Sequence, residues 1–355
     1  MNYMTAKEAA TQWGISQRRV AVLCSENRIE GVELKGNMWL IPNNATKPDD
    51  ARSLQFQPKT PATVKPFLKW AGGKAQILES IRSKYPVQLG KSITKYAEPF
   101  IGGGAVLFDI LSNYDISEVY ISDINRELIH TYITVRDELE ELISQLKILE
   151  NSYLQDDEER RKELFYSHRR RFNDLILEKC VSVELSALFI FLNKTCFNGL
   201  YRVNSKGEFN VPQGSYKNPC ICDEQNISSV SKALKSVKIR CCDYKKSKSF
   251  IDGNTFAYFD PPYRPLSTSS SFTAYTQDGF SDKEQIKLAR FINMLSDRGT
   301  YIVASNSDPT NTNEEDTFFD MLYEKHEIIR ISAARAINSA GDQRSKINEL
   351  LIATY

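Results

Sequence analysis

"YAEPFIGGGAVLF", residues 96–108, predicts a strand, a glycine-rich turn and the start of a helix. Glycines let a backbone approach a ligand closely, and a helix N-terminus adds a positive dipole. Asp123 lies 25 residues beyond Glu98, at the end of the next predicted strand, where an acid accepts ribose hydroxyls. "GGGA" departs from G-x-G-x-x-G, and no phosphate-loop lysine motif follows. The pattern favours adenosine without a pyrophosphate, which fits S-adenosylmethionine; the alternative is a tight turn with a solvent-exposed Asp123.

Strands and helices alternate on both sides of this stretch. The predicted strands are "ITKYAEPF", "EVYISDI", "VKIRCCDY", "TFAYFD", "TYIVASN" and "NELLIATY", and "DKEQIKLARFINMLSDR" is a predicted helix. Such alternation is typical of a doubly wound, Rossmann-like α/β sheet. Residues from about 126 to 230 are mostly helical and polar in pattern, which predicts an inserted subdomain.

"TFAYFDPPYRP", residues 255–265, ends a predicted strand abruptly, because proline cannot donate to a sheet ladder. Ligands of open α/β sheets bind at the carboxyl ends of strands. There, Asp260 and the Pro261 carbonyl offer two acceptors for an amino group, Tyr263 offers a ring for stacking, and Pro262 helps to fix both. Two acceptors stabilise the positive charge that develops when an aromatic amine attacks a methyl group. The stretch therefore predicts a socket for a planar amine.

"KPFLKWAGGKAQIL", residues 65–78, places a second glycine pair before Lys74. Trp70 offers an aromatic face to a purine or a cation, and Lys74 offers a charge to a carboxylate. In isolation, a core tryptophan and a surface lysine explain these residues better.

The motifs "FLKWAGGK", "EPFIGGGA", "YISDIN", "FLNKTCFNGLYRVNSKGEFNVPQGSYKNP" and "DPPYRPLSTSSSFTAYTQDGF", in this order, resemble the Dam-type adenine-specific DNA methyltransferases. The resemblance covers residues 66–355, and the position of "DPPY" after the recognition region is that of the alpha group. It implies an S-adenosylmethionine-dependent methyltransferase sheet with an inserted target-recognition subdomain, and a target adenine held by residues 260–263. With the glycine-rich stretch included, the predicted cofactor-binding residues are Trp70, Lys74, Glu98, Phe100, Gly102, Gly104, Asp123 and Asp260.

The resemblance also assigns the DNA contacts. Residues 194–240 carry eight Lys and Arg against three Asp and Glu, which suits a polyanion. In this family, side chains of the recognition segment enter the DNA double helix beside a flipped base and contact the edges of other bases. The predicted contacts are Lys69, Phe197, Asn198, Leu200, Arg202 and Pro212. Arg335, Asn338 and Arg344 are candidate phosphate contacts, and a solvated loop before the last strand is the equal alternative. Arg202 and Pro212 match the pattern for GATC, and the surrounding residues resemble the restriction–modification branch.

Residues 1–46 predict a winged helix-turn-helix domain that resembles the excisionase and MerR-like type, and residues 47–65 predict a linker. Two short helices follow the caps Thr5 and Ser16, and a hairpin follows them. Arg18 and Arg19 open the second helix, where a recognition helix meets a groove. A helical protein-interaction module is the alternative. This domain departs from the short family pattern.

Bulk composition excludes several classes of protein. The 355 residues carry a net charge of +1, lack a membrane-spanning apolar run and begin without a signal-peptide pattern, so a cytoplasmic location is expected. Seven cysteines show none of the common zinc spacings, so no metal is expected.

Double-stranded DNA is the predicted partner, and a restriction endonuclease is a possible companion. A DNA-binding regulator, an amino-cytosine methyltransferase and an RNA target stay as alternatives.

Overall fold

The structure is a computed structural model that describes residues 3–25, 29, 31–36, 38–43, 45–47, 64–70, 72, 74–264, 280–334 and 346–355. The chain divides into two compact units, Met1–Pro61 and Ala62–Tyr355. Most of the predicted linker, residues 47–65, lies outside the described residues and stays a prediction.

The first unit contains two helices and a small antiparallel sheet. Its elements are β1 (Tyr3–Thr5), α1 (Ala6–Trp13), α2 (Gln17–Ser25), β2 (Glu33–Lys35) and β3 (Met38–Pro42). The sheet order is β1-β3-β2. Thr5 and Glu8 form a reciprocal capping box at the start of α1, and Gly14 ends the helix at φ +65°. Two helices and a hairpin lie where the sequence predicts them, β1 is an addition, and the winged helix-turn-helix assignment stays a prediction.

The second unit is built on a seven-stranded sheet. Its strands are β4 (Lys95–Glu98), β5 (Glu118–Asp123), β6 (Val237–Cys241), β7 (Thr255–Phe259), β8 (Tyr301–Ser307), β9 (Glu327–Ala334) and β10 (Lys346–Ala353). The order is β6-β5-β4-β7-β8-β10-β9. β4 to β8 run parallel to one another, and β10 runs antiparallel between β8 and β9. The mixed α/β class with a mostly parallel sheet is confirmed.

Helices cover the sheet and form the region after β5. They are α3 (Leu78–Arg82), α4 (Ala105–Asn113), α5 (Arg126–Asp137), α6 (Leu139–Gln155), α7 (Glu158–Leu177), α8 (Val183–Thr195), α9 (Glu224–Leu234), α10 (Asp282–Ser296) and α11 (Phe318–Leu322). Buried apolar side chains of α5 to α9 belong to the same hydrophobic cluster as Tyr96 of β4, Val119 and Ile121 of β5, and Val237 and Ile239 of β6. The region from about 126 to 230 is helical as predicted, and its role as an inserted recognition subdomain stays a prediction.

The strand β7 shows how the sequence produces the core. All five residues of "TFAYF" are buried, as expected for a central parallel strand covered on both faces. The strand ends one residue before Asp260 and two before the first proline. The carboxyl end of β7 therefore presents the predicted socket at the edge of the sheet.

Candidate functional site

Three predicted acids lie at one edge of the sheet. Glu98 and Asp123 are the final residues of β4 and β5, and Asp260 follows β7 directly. β4 and β7 are hydrogen-bonded neighbours, and the strand order reverses between them. A reversal of this kind opens the crevice in which α/β sheets bind ligands. The fold therefore brings residues 162 positions apart in the sequence, 98 and 260, to one crevice.

Asp260 is held by a lysine and a serine. Lys74 Nζ lies 2.9 Å from Asp260 Oδ1, and the Ser305 hydroxyl donates to the same oxygen over 2.9 Å. The Tyr258 hydroxyl lies 2.9 Å from Ser305 Oγ. Burial raises the pKa of the Asp260 carboxyl, while the Lys74 charge and the two hydrogen bonds act against this rise. These partners favour the ionised carboxylate, which is the form that accepts hydrogen bonds.

Tyr263 is anchored at both its hydroxyl and its ring. The hydroxyl donates to Glu349 Oε2 over 2.7 Å, and Lys74 Nζ lies 4.5 Å from the ring centroid. Lys74 therefore contacts both the acid and the aromatic ring of the socket. It is 5% exposed and also donates to the Gly72 carbonyl over 2.6 Å. The surface-lysine alternative is wrong for this residue.

Hydrogen bonds from side chains hold the backbone at and after the two prolines. The Gln285 side chain donates to the Pro262 carbonyl over 3.0 Å and accepts from Asn306 over 3.1 Å. The side-chain oxygen of Asn306, Oδ1, in turn accepts from the backbone N–H of Arg264 over 3.1 Å. Pro261 itself is buried. The backbone of residues 261–264 is thus tied to β8 and α10, which fixes the direction of its carbonyl groups.

The glycine-rich turn is explained by contacts within the protein. A Cβ at Gly102 or Gly103 would come within 2.8 or 2.9 Å of Trp70, and one at Gly104 within 2.6 Å of the Tyr132 hydroxyl. Gly102 and Gly104 also have φ values of +46° and +72°, which L side chains rarely adopt. The sequence attributes these glycines to the approach of a ligand. The structure shows in addition that Trp70 and Tyr132 occupy the space that side chains would need.

The other predicted cofactor residues surround this turn. Asp123 is half-buried and accepts from the backbone N–H groups of Gly102 at 3.3 Å and Asn125 at 3.0 Å. Burial raises its pKa, and these hydrogen bonds act against the rise. Glu98 is 3% exposed and accepts from the Tyr96 hydroxyl over 2.7 Å; burial raises the Glu98 pKa well above its ordinary value.

Phe100 follows β4 and packs among aromatic rings. Its ring stacks on Tyr244 at a centroid distance of 5.4 Å and meets Phe280 edge-on at 6.0 Å. Phe280 is the first described residue after the segment 265–279, which lies outside the described part of the chain. Phe100 is therefore one wall of the crevice, and its contact with a cofactor stays a prediction.

The predicted recognition segment is a tight loop next to α8. The backbone N–H of Phe197 donates to the Pro212 carbonyl over 2.9 Å, and the Phe197 side chain is 50% exposed. Asn198 has a φ of +54°, so it lies in the left-handed region. The Arg202 side chain donates through Nε to Asn210 over 2.8 Å. The loop presents an exposed aromatic ring and a held guanidinium, as a segment that contacts DNA requires.

Lys69 joins the recognition segment to the cofactor segment. The Asn193 side chain accepts from the Lys69 N–H at 2.8 Å and donates to the carbonyls of Lys69 and Gly199 at 2.7 and 3.0 Å. Lys69 Nζ lies 3.7 Å from the ring centroid of Tyr216, and a Cβ at Gly199 would overlap the Lys69 side chain. Leu200 follows this contact directly and is half-buried.

The remaining predicted contacts belong to the first unit or lie outside the described residues. Arg18 is exposed on α2 of the first unit. The Arg19 side chain lies outside the described part of the structure, as do the predicted phosphate contacts Arg335, Asn338 and Arg344.

Sequence reasoning missed two residues of the site, Ser305 and Glu349. They lie in the stretches "ASNSD" and "NELL", and neither stretch carries a local chemical signature. Their positions on β8 and on the antiparallel strand β10 bring them to the socket.

The described residues contain neither a cluster of metal ligands nor a membrane-spanning helix. None of the described His, Cys, Asp and Glu side chains form a group of three or more arranged to hold a metal ion. None of the helices in the described ranges combines the length and apolar character needed to cross a membrane.

The chain is similar to known proteins along most of its length. A family model described as "D12 class N6 adenine-specific DNA methyltransferase" matches residues 70–337. "Type II methyltransferase M.MjaIII" of Methanocaldococcus jannaschii is 51% identical over 294 residues, which cover 82% of this chain and 99% of that protein. "Type II methyltransferase M1.LlaDCHI" of Lactococcus lactis subsp. cremoris is 37% identical over 299 residues, with 84% and 98% covered.

The "DNA adenine methylase" of Escherichia coli (strain K12) is 33% identical over 288 residues, which cover 80% of this chain and 93% of that protein. The predicted resemblance to adenine-specific DNA methyltransferases is confirmed at the level of the family, while the alpha-group order and the N-terminal domain stay predictions. Since both the family model and these relatives cover well over half of the sequence, this chain belongs to the D12 class of N6 adenine-specific DNA methyltransferases.

Proposed function

We propose that this enzyme transfers a methyl group from S-adenosylmethionine to the exocyclic amino group of an adenine flipped out of double-stranded DNA. The observation that carries the proposal is the arrangement of Asp260, Lys74 and Tyr263 in the crevice between β4 and β7. It joins a carboxyl acceptor, a lysine and an aromatic ring in one socket. Such a socket suits a flat base with an amino group.

The chemistry follows from the two acceptors that Asp260 and Pro261 offer. An ionised carboxylate accepts one amino hydrogen, and the Pro261 carbonyl accepts the other. Both acceptors draw the amino nitrogen toward tetrahedral geometry, and the carboxylate balances the positive charge that develops on it. Lys74 and Ser305 hold the carboxylate in place at 2.9 Å each. Tyr263 holds the base by stacking, with its ring oriented by the Glu349 contact.

The residues at the neighbouring strand end fit S-adenosylmethionine. Backbone N–H groups of Gly102 and Asn125 each hold one oxygen of Asp123, which orients the carboxylate toward ribose hydroxyls. The adjoining Ile124 side chain is 54% exposed and offers an apolar face to a purine. When bound, the cofactor supplies a methyl group already activated by its sulfonium. We propose Glu98, Phe100 and Trp70 as further contacts around it.

The DNA contacts of the proposal rest on the loop next to α8. Phe197 is half-exposed at its tip, which suits a ring that fills the space a flipped base leaves. The Asn210 contact engages Nε of Arg202, so a guanine edge would be read through the two terminal nitrogens of its guanidinium. Lys69, Asn198, Leu200 and Pro212 complete the proposed contacts.

The proposal also covers the target sequence, the biological role and the division of the enzyme into domains. The target is GATC, and the role is restriction–modification or related DNA marking in the cytoplasm, with a restriction endonuclease as companion. Two relatives carry the name "Type II methyltransferase", which supports the restriction–modification role. Residues 1–46 form a winged helix-turn-helix domain that adds DNA contacts through Arg18 and Arg19. Residues 66–355 form the catalytic domain, with recognition by residues of about 126–230.

The test is to express the full chain in a host that lacks adenine methylation and to map modified bases by sequencing. The wild-type protein should produce N6-methyladenine at one motif, and Asp260→Asn should produce none, because an amide carries no charge to balance the amine. The variant should keep the circular dichroism spectrum of the wild type. Methylation of cytosine amino groups would support the amino-cytosine alternative, and DNA binding without any methylation would support the regulator.

A further inference from the structure

Tyr201 lies between the two residues proposed to read bases, Leu200 and Arg202, yet its side chain points away from the loop surface. It is 9% exposed, and its ring stacks against Trp70 at a centroid distance of 6.0 Å and an interplanar angle of 17°. Phe189 of α8 packs on the same ring at 5.4 Å. The recognition loop therefore rests on the cofactor segment through a tyrosine that is unavailable to DNA.

The Trp70 ring continues this contact to the glycine-rich turn. A Cβ at Gly102 or Gly103 would approach Trp70 within 2.9 Å, so the ring lies against the turn without a gap. The backbone N–H of Gly102 donates to Asp123, the acid proposed to bind ribose. A shift of the Tyr201 ring is thereby passed to the turn by direct packing, since packed interiors have little free volume.

The Tyr201 hydroxyl reaches the same edge by a second route. It donates to Glu127 Oε2 over 3.3 Å, and Glu127 lies in the first turn of α5, four residues after Asp123. Asn125 caps this helix through its side chain and donates its N–H to Asp123. Two contacts of one side chain, ring and hydroxyl, thus meet the two segments that carry the proposed cofactor residues.

We infer that Tyr201 is a positioning residue that couples recognition of DNA to binding of the cofactor. The inference rests on the proposed function, since it takes S-adenosylmethionine as the cofactor and the loop next to α8 as the DNA contact. When the loop engages its target, the Tyr201 ring and hydroxyl set Trp70 and the start of α5 in the arrangement that binds the cofactor more tightly. Coupling of this kind is reciprocal, so bound cofactor strengthens binding of the target to the same degree.

The experiment measures the affinity of the full-length protein for S-adenosylhomocysteine by calorimetry, without DNA and with a short duplex that carries the methylated motif. The ratio of the two dissociation constants is the coupling. In the wild type the duplex should tighten binding about fivefold or more, which is the lower range for coupled sites. Tyr201→Phe removes the Glu127 contact and keeps the ring; it should lose most of this ratio while its affinity without DNA stays within about twofold of the wild type.

Tyr153→Phe is the matched control. The Tyr153 hydroxyl accepts from Gln213 of the same loop over 2.7 Å, but it connects the loop to α6 and not to the cofactor edge. This variant should keep the wild-type ratio. Glu127→Ala breaks the Tyr201 contact from its other end and should reproduce the effect of Tyr201→Phe, which serves if that variant folds poorly.

The inference is overturned if Tyr201→Phe or Glu127→Ala keeps the wild-type ratio, or if the duplex leaves the wild-type affinity unchanged. Failure of the proposed function has a different signature, because then no variant binds S-adenosylhomocysteine or the wild type methylates no adenine. A folded, methylating wild-type enzyme with unaltered coupling in both variants contradicts the role of Tyr201 alone.

Discussion

Replacement of Lys74 by methionine removes the cation that contacts Asp260 and Tyr263 while it keeps the length of an unbranched side chain. Burial raises the pKa of Asp260, and the Lys74 charge lowers it. Without the lysine the Asp260 pKa therefore rises, and a larger fraction of the enzyme carries a protonated acid at low pH. Because the ionised carboxylate is the active form, the loss of activity should be greatest at low pH and smallest at high pH.

The size of the effect follows from the 2.9 Å distance between Lys74 Nζ and Asp260 Oδ1. At this distance, and with an effective dielectric constant of about 20, the gross Coulomb attraction is about 6 kcal/mol. Desolvation offsets much of it, and a hydrogen bond to a charged group contributes about 1.5–3 kcal/mol net. This range corresponds to a loss of about 10- to 100-fold in kcat/KM near neutral pH.

The assay is transfer of a radiolabelled methyl group to duplex DNA, with kcat/KM measured across the pH range in which the wild type is stable. Lys84→Met is the matched control, since it breaks an ion pair of the same 2.9 Å length, with Glu327, away from the crevice. It should keep the wild-type pH profile. A Lys74→Met enzyme that is folded and fully active, or whose deficit is the same at every pH, would refute the role assigned to Lys74.

Two further predictions concern the anchor of Tyr263 and the glycine-rich turn. Glu349→Leu should lower kcat/KM about tenfold, because the Tyr263 hydroxyl loses a charged acceptor at 2.7 Å, whereas Glu349→Gln keeps an acceptor and should retain most activity; equal activity of both variants in the methyl-transfer assay would contradict the anchor. Gly104→Ala should lower the free energy of unfolding in urea by about 1–2 kcal/mol for the left-handed backbone and about 1–3 kcal/mol for the clash with Tyr132. Gly207→Ala is the control, because it has the cost of the left-handed backbone but nothing lies within 4 Å of its Cβ position. Equal losses of unfolding free energy in the two variants would therefore exclude the clash with Tyr132.

Local pattern was sufficient to predict most strands of the central sheet. "TFAYF" is apolar throughout and is followed by two prolines, so both its burial and its end follow from the sequence. β9 was missed, because Glu327 and Arg330 interrupt its apolar run and it lies at the edge of the sheet. The place of β10 between β8 and β9 depends on pairing between distant segments, which local propensity does not specify.

The contacts of the site also fall into those that the local sequence predicts and those that depend on distant segments. Asp260 and Tyr263 stand three residues apart in one motif, so sequence reasoning places them together. The contact of Lys74 with Asp260 joins residues 186 positions apart, and it was not predicted; Lys74 was assigned to a cofactor carboxylate. Glu349 meets Tyr263 only because β10 pairs with β8. Contacts that depend on the order of strands in the sheet cannot be predicted from residues that are neighbours in the sequence.

The position of β10 has a consequence for the timing of activity during synthesis. Residues 346–353 pair with β8 and β9 and bring Glu349 to Tyr263, although every other described residue of the socket is translated earlier. A nascent chain still holding these residues inside the ribosome lacks the anchor of the aromatic ring. The enzyme therefore acquires a complete base-binding socket only after strand β10 has emerged and inserted. Polypeptides interrupted before residue 346 lack the strand between β8 and β9 as well as Glu349, so they would not modify DNA.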